Sequence, residues 1–452
     1  MASESESAAR TTLRVNRKIS WRILWFLCVL YFVSYLDRIG LSYAGPNGMN
    51  KELGLSSTAF GFAAGIFFVG YVLVEVPSNM ALHRFGPRKW LARIIISWGV
   101  IQTLSAVAPN ATVLYVLRFL LGVAEGGFAP GVIFYLARWF SDDYRGRAVS
   151  RFLFSAVFAT AAGAPLSLLL IDVGNASSPL GMNGWRFLFF ATGLTAVILG
   201  IVTWFYLVDG PQHASWLSTH EKATVQANLA ADEAAHPIGA ANVRSVLRSG
   251  RVWLLGFCYF SFLYGAYALT FFLPSILAGF QDQFDVHYST LQIALLTTIP
   301  FACGGAAQLW FGQNADRKGR LGAHIAGSAV LGLIGGVAAS VASGPLVMMA
   351  CLCLMAIGVT AGAPLILVLG TRINKGIVGA ATIAIVNTIG ASSGFFGPYI
   401  TGWLRDLTGD QNAGIILISV MLTACVLIGV RLDRNAPVPV LREVASETLK
   451  SK

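Results

Sequence analysis

Charge is what this sequence has least of. Asp, Glu, Lys and Arg make up 12% of its 452 residues, about half the ~25% of an ordinary soluble domain, which excludes a water-soluble globule. Segments alternating strictly between apolar and polar residues are missing too, which argues against a transmembrane β-barrel. Cysteine is sparse: six residues, at 28, 258, 303, 351, 353 and 425, all within apolar segments. Cys351-Leu352-Cys353 lacks metal-ligand spacing and has no neighbouring histidine, so the thiols read as small packing residues and no metal or cofactor is expected. No nucleophile–base pair or phosphate loop appears, and enzymatic chemistry is not expected. The first twenty residues hold neither an apolar core nor a cleavage site, so they read as a polar tail rather than a signal peptide. No lipidation motif marks either end.

What is abundant is apolar length. Hydrophobic residues reach 56%, and about 20 in a row span a bilayer as a helix. Twelve such stretches stand out: 21–45, 56–82, 90–108, 112–138, 147–172, 185–207, 251–279, 289–314, 321–342, 346–370, 377–404 and 411–432. The reading is an all-α polytopic membrane protein in two six-helix bundles. Its expected divisions are a tail (1–20), an amino-terminal bundle (21–207), a polar linker (208–250), a carboxyl-terminal bundle (251–432) and a second tail (433–452). Within the linker, 218–235 has the pattern of a surface helix, with Ser218 or Thr219 as cap and Glu221 in the first turn.

The formal charge of +11 does not imply a nucleic-acid partner, because its placement has another cause. With both termini assigned to the cytoplasm, all but five of the 32 Lys and Arg (Arg38, Lys51, Arg118, Arg186 and Arg405) fall in the tails or on cytoplasmic connections. Positive residues stay inside, so the expectation is a multi-pass protein of the cell (inner) membrane with both ends cytoplasmic. The halves echo each other: "NMALHRFGPRKW" (79–90) follows span two and "GQNADRKGRLGA" (312–323) follows span eight. Paired bundles of this kind hold substrate between them near mid-membrane. Most of the 48 glycines read as small faces on which membrane helices pack.

Against this background a few ionisable residues stand inside the spans. Arg118 and Glu125 are seven apart in span four, two helical turns, and both must face the bundle because lipid cannot solvate them. Asp37 and Arg38 are adjacent in span one and address neighbouring sectors. One reading is a pair of internal salt bridges, although buried pairs often stabilise no better than apolar residues of equal volume. The reading favoured is an anion site switched by protons: with Asp37 and Glu125 ionised the four charges cancel, and protonating the acids releases Arg38 and Arg118 to hold a carboxylate. Glu75, toward the cytoplasmic end of span two, reads as a third proton site or a gate residue. Tyr35, Tyr71, Tyr264, Tyr267, Asn387, Ser392 and Ser393 are polar groups able to complete the site.

These stretches resemble the major facilitator superfamily and, within it, the anion:cation symporter family. The resemblance rests on "YLDRIGLSYAG", "LRFLLGVAEGGFAPG", "GYVLVEVPSN" with "HRFGPRKW", and "NTIGASSGFFGPYITGWLRDLTG". "MNGWRFLFF" and "SWLSTHEK" are similar to the branch of tartrate, phthalate and 4-hydroxyphenylacetate permeases. The resemblance implies coupling of protons, or sodium in some members, to organic-anion transport. It implies substrate contact by Arg38, Arg118, Tyr35, Tyr71 and Asn387, and proton carriage by Asp37 and Glu125. The superfamily's loop motif implies gating roles for His83 and Arg84 in the first half and for Asp316 and Arg317 in the second. Three departures are visible: His83 stands where the loop motif carries an acid, Thr360 and Ala361 replace a Phe-Trp pair in span ten, and "GASSG" replaces "GNLGG" in span eleven.

The expected function is therefore proton-coupled symport of a small organic carboxylate by alternating access. The expected partners are substrate anion, protons and lipid bilayer, with the protein working as a monomer. The alternatives are a sodium-coupled or exporting organic-anion carrier, or a non-transporting membrane sensor.

Overall fold

Local capping chemistry decides where many of the helices start. In the computed structural model, which describes residues 2–235, 246–373, 376–410 and 412–434, the first six spans are α2 (Trp25–Ala44), α4 (Ser57–Phe85), α5 (Pro87–Ser105), α6 with α7 (Ala111–Glu125, Phe128–Ala137), α8 (Asp142–Ser177) and α9 (Gly184–Tyr206). Ser56 Oγ accepts from Ala59 N (3.2 Å) at the start of α4, and Asn110 Oδ1 accepts from Val113 N (3.0 Å) at the start of α6. Each satisfies an amide that the first helical turn leaves without a partner. Two further α-helices precede the linker in this half of the chain: α1 (Ala2–Ile19), which runs on toward α2, and the four-residue α3 (Asn50–Leu53). The polar tail is thus helical. The linker helix α10 (Thr219–Ala235) begins where its sequence says, with Ser218 and Glu221 bonding reciprocally in a capping box at 2.8 and 3.2 Å.

The second half supplies α11 (Gly250–Phe284), α12 (Thr290–Lys318), α13 (Leu321–Ala339), α14 (Pro345–Ile373), α15 (Gly376–Thr408) and α16 (Asn412–Arg434). Among the described residues ten helices are long and apolar enough to cross a membrane. Two further helices, α5 and α15, occupy the places of spans three and eleven. In α5 the three cations Arg88, Lys89 and Arg93 lower the hydropathy. With these two helices the count is the twelve that the sequence implies.

Contacts divide the chain into two compact units, Met1–Gly239 with Thr270–Ile299 and Gly394–Asp410, and Ala240–Leu269 with Pro300–Ser393 and Gln411–Lys452. Inside the first unit, glycine governs how closely helices approach. A Cβ on Gly122 of α6 would overlap the carbonyl of Phe67 on α4, and one on Gly61 of α4 would overlap the carbonyl of Pro398 on α15. Both distances demand a residue without a side chain. Asp406, near the end of α15, accepts from Ser57 N (3.1 Å) and Thr58 N (2.7 Å), so one carboxylate caps the first turn of α4. Glu52 on α3 gathers Asn183 Nδ2, Trp185 Nε1 and Arg186 Nη2, each at 2.7 Å, and Arg186 also donates to the carbonyls of Ala106 and Ala108. Inside the second unit α13 and α14 touch backbone to backbone at Gly332 and Gly358, while Gly390 of α15 lies against the Tyr259 ring of α11.

Candidate functional site

The first unit buries three of the five ionisable residues singled out in its spans. Asp37 is 1% exposed, and Arg118 and Glu125 are 2% exposed each; Arg38 is partly covered. They do not form a symmetrical quartet. Arg38 Nη2 donates to Glu125 Oε1 at 2.7 Å, an ion pair linking α2 to α6. The same oxygen accepts the Ser34 hydroxyl at 2.6 Å. Asp37 makes no ion pair among the described residues; its Oδ2 accepts the indole N–H of Trp98 on α5 at 3.0 Å, and its Oδ1 is buried without a partner. Arg118 packs over the Phe189 ring of α9 (4.9 Å to the centroid), with Nε and Nη2 buried and unbonded.

The adjacency of Asp37 and Arg38 explains the split. Neighbouring residues on a helix point about 100° apart, so Asp37 reaches α5 while Arg38 reaches α6. On α6 a pause follows at once: Glu125 is its last residue and Gly126 is extended. Gly127 takes φ +89° before α7 resumes, a left-handed conformation that favours glycine. Span four is therefore two helices with Glu125 at their junction.

Aromatic rings enclose the Arg38 head. Its guanidinium carbon lies 4.9 Å from the Tyr35 ring, 5.0 Å from Phe67, 5.7 Å from Phe68 and 5.6 Å from Tyr71. Each such face attracts a desolvated cation by about 2 kcal/mol or more, and removing the carboxylate from a buried pair costs about 3–5 kcal/mol. The rings position the arginine, and Glu125 holds it. Tyr35 and Tyr71, named from the sequence, thus stand beside Arg38. Ser34, Trp98, Phe67, Phe68 and Phe189 were not named. Trp98 carried a signal, since tryptophan in membrane helices gathers at the interfaces and this one sits in mid-span with a buried N–H needing an acceptor.

The remaining candidates stand apart. Glu75 is half-buried on α4, and its carboxylate has no hydrogen bond or ion pair among the described residues; its backbone carbonyl accepts from Asn79. His83 is exposed and lies against Phe134, ring centroids 4.0 Å apart, and the Arg84 guanidinium lies over Phe85. The acid that His83 displaces from the loop motif has a counterpart elsewhere: Asp209 Oδ1, after span six, accepts from Arg88 N at 3.0 Å and abuts Gly86. In the second unit Tyr264 is buried, Tyr267 half-buried and Asn387 exposed on α15. The Ser392 and Ser393 hydroxyls donate to the carbonyls of Ile389 and Gly390 on their own helix, and Thr360 donates to Ala356. Arg317 is exposed, while the side chain of Asp316 lies outside the described residues. No group of three or more potential metal ligands occurs among the described residues.

Comparison with known proteins gives a consistent picture. The family model described as Major Facilitator Superfamily matches residues 27–398. A protein named "Putative tartrate transporter" from Agrobacterium vitis is 37% identical over 94% of this chain and 96% of its own length. The "Quinolone resistance transporter" of Acinetobacter baumannii is 33% identical over 90% of this chain and 92% of its own, and the inner membrane transport protein RhmT of Escherichia coli K12 is 29% identical over 93% and 96%. Among solved structures, a bacterial homolog of the human lysosomal transporter Spinster covers 93% of this chain and 97% of its own, at TM-score 0.75 and 15% identity. The D-xylose-proton symporter covers 92% and 98%, at TM-score 0.70 and 16% identity. At those identities the two structures speak for the fold alone.

Proposed function

As the chain belongs to the Major Facilitator Superfamily and is a multi-pass membrane transporter by that membership, we propose that it carries a small organic carboxylate across the cell membrane together with protons. The observation that supports this reading is the unequal state of the two buried arginines: Arg38 is held by Glu125, and Arg118 is buried with unbonded N–H groups. A guanidinium fork suits a carboxylate. Arg118 is therefore the first docking point for the substrate anion. A proton on Glu125 removes its charge and frees Arg38, which then swings to the same anion between Tyr35 and Tyr71. Asp37 takes the second proton, and a dicarboxylate then brings the loaded site back to neutral. Release reverses the sequence: once the acids lose their protons, Glu125 recaptures Arg38 and the substrate is left with a single cation.

Alternating access between the two six-helix bundles delivers the loaded site to the other face, with both termini on the cytoplasmic side by the placement of Lys and Arg. Glu75, His83, Arg84, Asp316 and Arg317 are gating candidates at the cytoplasmic mouth, and Tyr264, Tyr267, Asn387, Ser392 and Ser393 are candidates for shaping the substrate from the second half. Tartrate heads the substrates to try, on the strength of one relative's name, followed by phthalate, 4-hydroxyphenylacetate and sugar acids.

The test is uptake into proteoliposomes with an inside-alkaline pH gradient, with and without a protonophore. Accumulation of one acid that collapses with the protonophore supports the reading. Accumulation that survives the protonophore but needs sodium replaces proton coupling by sodium coupling, and binding without flux in either direction makes the protein a sensor.

A further inference from the structure

We propose that Trp98 is a positioning residue for the proton carried at Asp37, an inference that rests on the reading of Asp37 as a proton carrier. The Trp98 indole, 1% exposed, donates to Asp37 Oδ2 at 3.0 Å. The ring is packed edge to face against Phe128 at 5.1 Å, and Phe128 opens α7 immediately after the Gly126–Gly127 break. With Oδ2 occupied and Oδ1 buried and unbonded, the two oxygens are chemically distinct, and Oδ1 is where the proton binds.

No cation reaches the Asp37 carboxylate within ion-pair distance among the described residues. The charged groups on its side of the bundle are Arg118 and Glu125 of α6 and Arg38 of its own helix, the last committed to Glu125. Arg93 of α5 and Arg151 and Asp172 of α8 are exposed, and Arg186 of α9 is engaged by Glu52 and two carbonyls. The neutral groups beside it are the Trp98 N–H and the Thr192 hydroxyl of α9, and the Trp98 N–H makes the 3.0 Å hydrogen bond that favours the ionised form of Asp37. Glu125, by contrast, takes both a hydroxyl and a guanidinium on one oxygen. The two acids hold their charge by different means: Glu125 answers to whatever competes for Arg38, whereas Asp37 answers to proton concentration through a neutral donor that no anion displaces.

The experiment needs no substrate, since its probe is the proton. Infrared difference spectra are recorded against pH, from about 4 to 10, on the full chain in lipid. In the unmodified protein a carboxyl C=O band titrates, and Asp37→Asn removes it. Trp98→Phe is expected to move that band to higher wavenumber and its midpoint up by roughly one pH unit, because the charged form loses its donor. Phe128→Leu, which loosens the same packing and keeps the N–H, is expected to leave the midpoint in place. Should Trp98→Phe fail to fold, indole-15N labelling of the unmodified protein reads the same contact. One N–H resonance should follow the Asp37 midpoint and lose its pH dependence in Asp37→Asn. An unchanged band and midpoint in Trp98→Phe, an equal shift in Phe128→Leu, or no indole signal tracking Asp37 overturns the role of Trp98 and leaves Asp37 a proton carrier. No Asp37 band at any pH overturns the underlying reading together with it.

Discussion

The two compact units divide their buried polar groups unequally. The first buries Asp37, Arg118 and Glu125 within its membrane helices; among the described residues the second buries only hydroxyls there, at Ser261, Ser328, Thr382, Ser393 and Ser419. Yet the two halves of the sequence repeat the same six-span plan. A hydroxyl in a membrane helix can satisfy itself by donating to a carbonyl one turn back, as Ser261 and Thr382 do, with no partner on another helix required. A buried charge cannot, and so it links helices: α2 to α6 through Arg38 and Glu125, and α2 to α5 through Asp37 and Trp98. Charge chemistry concentrates in one half, where the helices are cross-tied. The other half is free to offer shape.

Perturbing each side tests this division. The largest effect is expected at Arg118: Arg118→Lys should lower uptake about 100-fold, since a point charge replaces a fork worth ~2–3 kcal/mol to a buried anion, and initial rates in proteoliposomes would show it. Next is Glu125→Gln, which should remove gradient-driven accumulation while substrate exchange across the membrane falls by no more than about 5-fold, the cost of one hydrogen bond. Equal loss of exchange and accumulation would mean that Glu125 is structural. In the second unit Tyr264→Phe, removing a hydroxyl and no charge, should alter half-saturation by about 5-fold or less with coupling intact. An uncoupled Tyr264→Phe protein would end the comparison.

A smaller effect concerns the start of α4. Asp406→Ala removes the carboxylate that caps α4 and should cost about 1 kcal/mol, a fall of a degree or two in thermal midpoint. The smallest concerns the linker. The hydrogen bond from Lys18 at 2.9 Å, then that from Ser218 N, holds the Glu221 carboxyl below the usual carboxylate range. A depressed carboxylate stabilises fully above its unfolded value, about 4.3, and loses that contribution as pH falls through the folded value. Amide exchange of α1 should therefore rise below about pH 4, and Glu221→Gln should show the faster exchange already at pH 7.

Much of this was legible in the sequence, for physical reasons that differ by level. Apolar length wrote the twelve helices, and Ser218 with Glu221 wrote the start of α10, because both signals are local. The charged residues announced themselves by their cost in lipid. Their pairing did not. Nothing in "SYLDRIG" says that Asp37 meets a tryptophan 61 positions later in the chain, because that depends on how α5 packs. The aromatic enclosure of Arg38 was half visible: Tyr35 is one turn from Arg38, whereas Phe67 and Phe68 are brought in by the contact of α4 with α6, set at Gly122. The break in span four hid inside "AEGGFA", where two glycines read as readily as a packing face.

That break has a mechanical consequence. A helix of ten residues such as α7 is a lever about 15 Å long, and the pivot beside Glu125 lets it turn without dragging α6 along. A tilt of roughly 10° would carry its far tip about 2.6 Å, by the length of that lever, while the carboxylate at the fulcrum barely moves. Movement at the far end of this span is thereby geared down before it reaches the charges, and under the proposed coupling the arginine clasp opens to a proton rather than to a nudge.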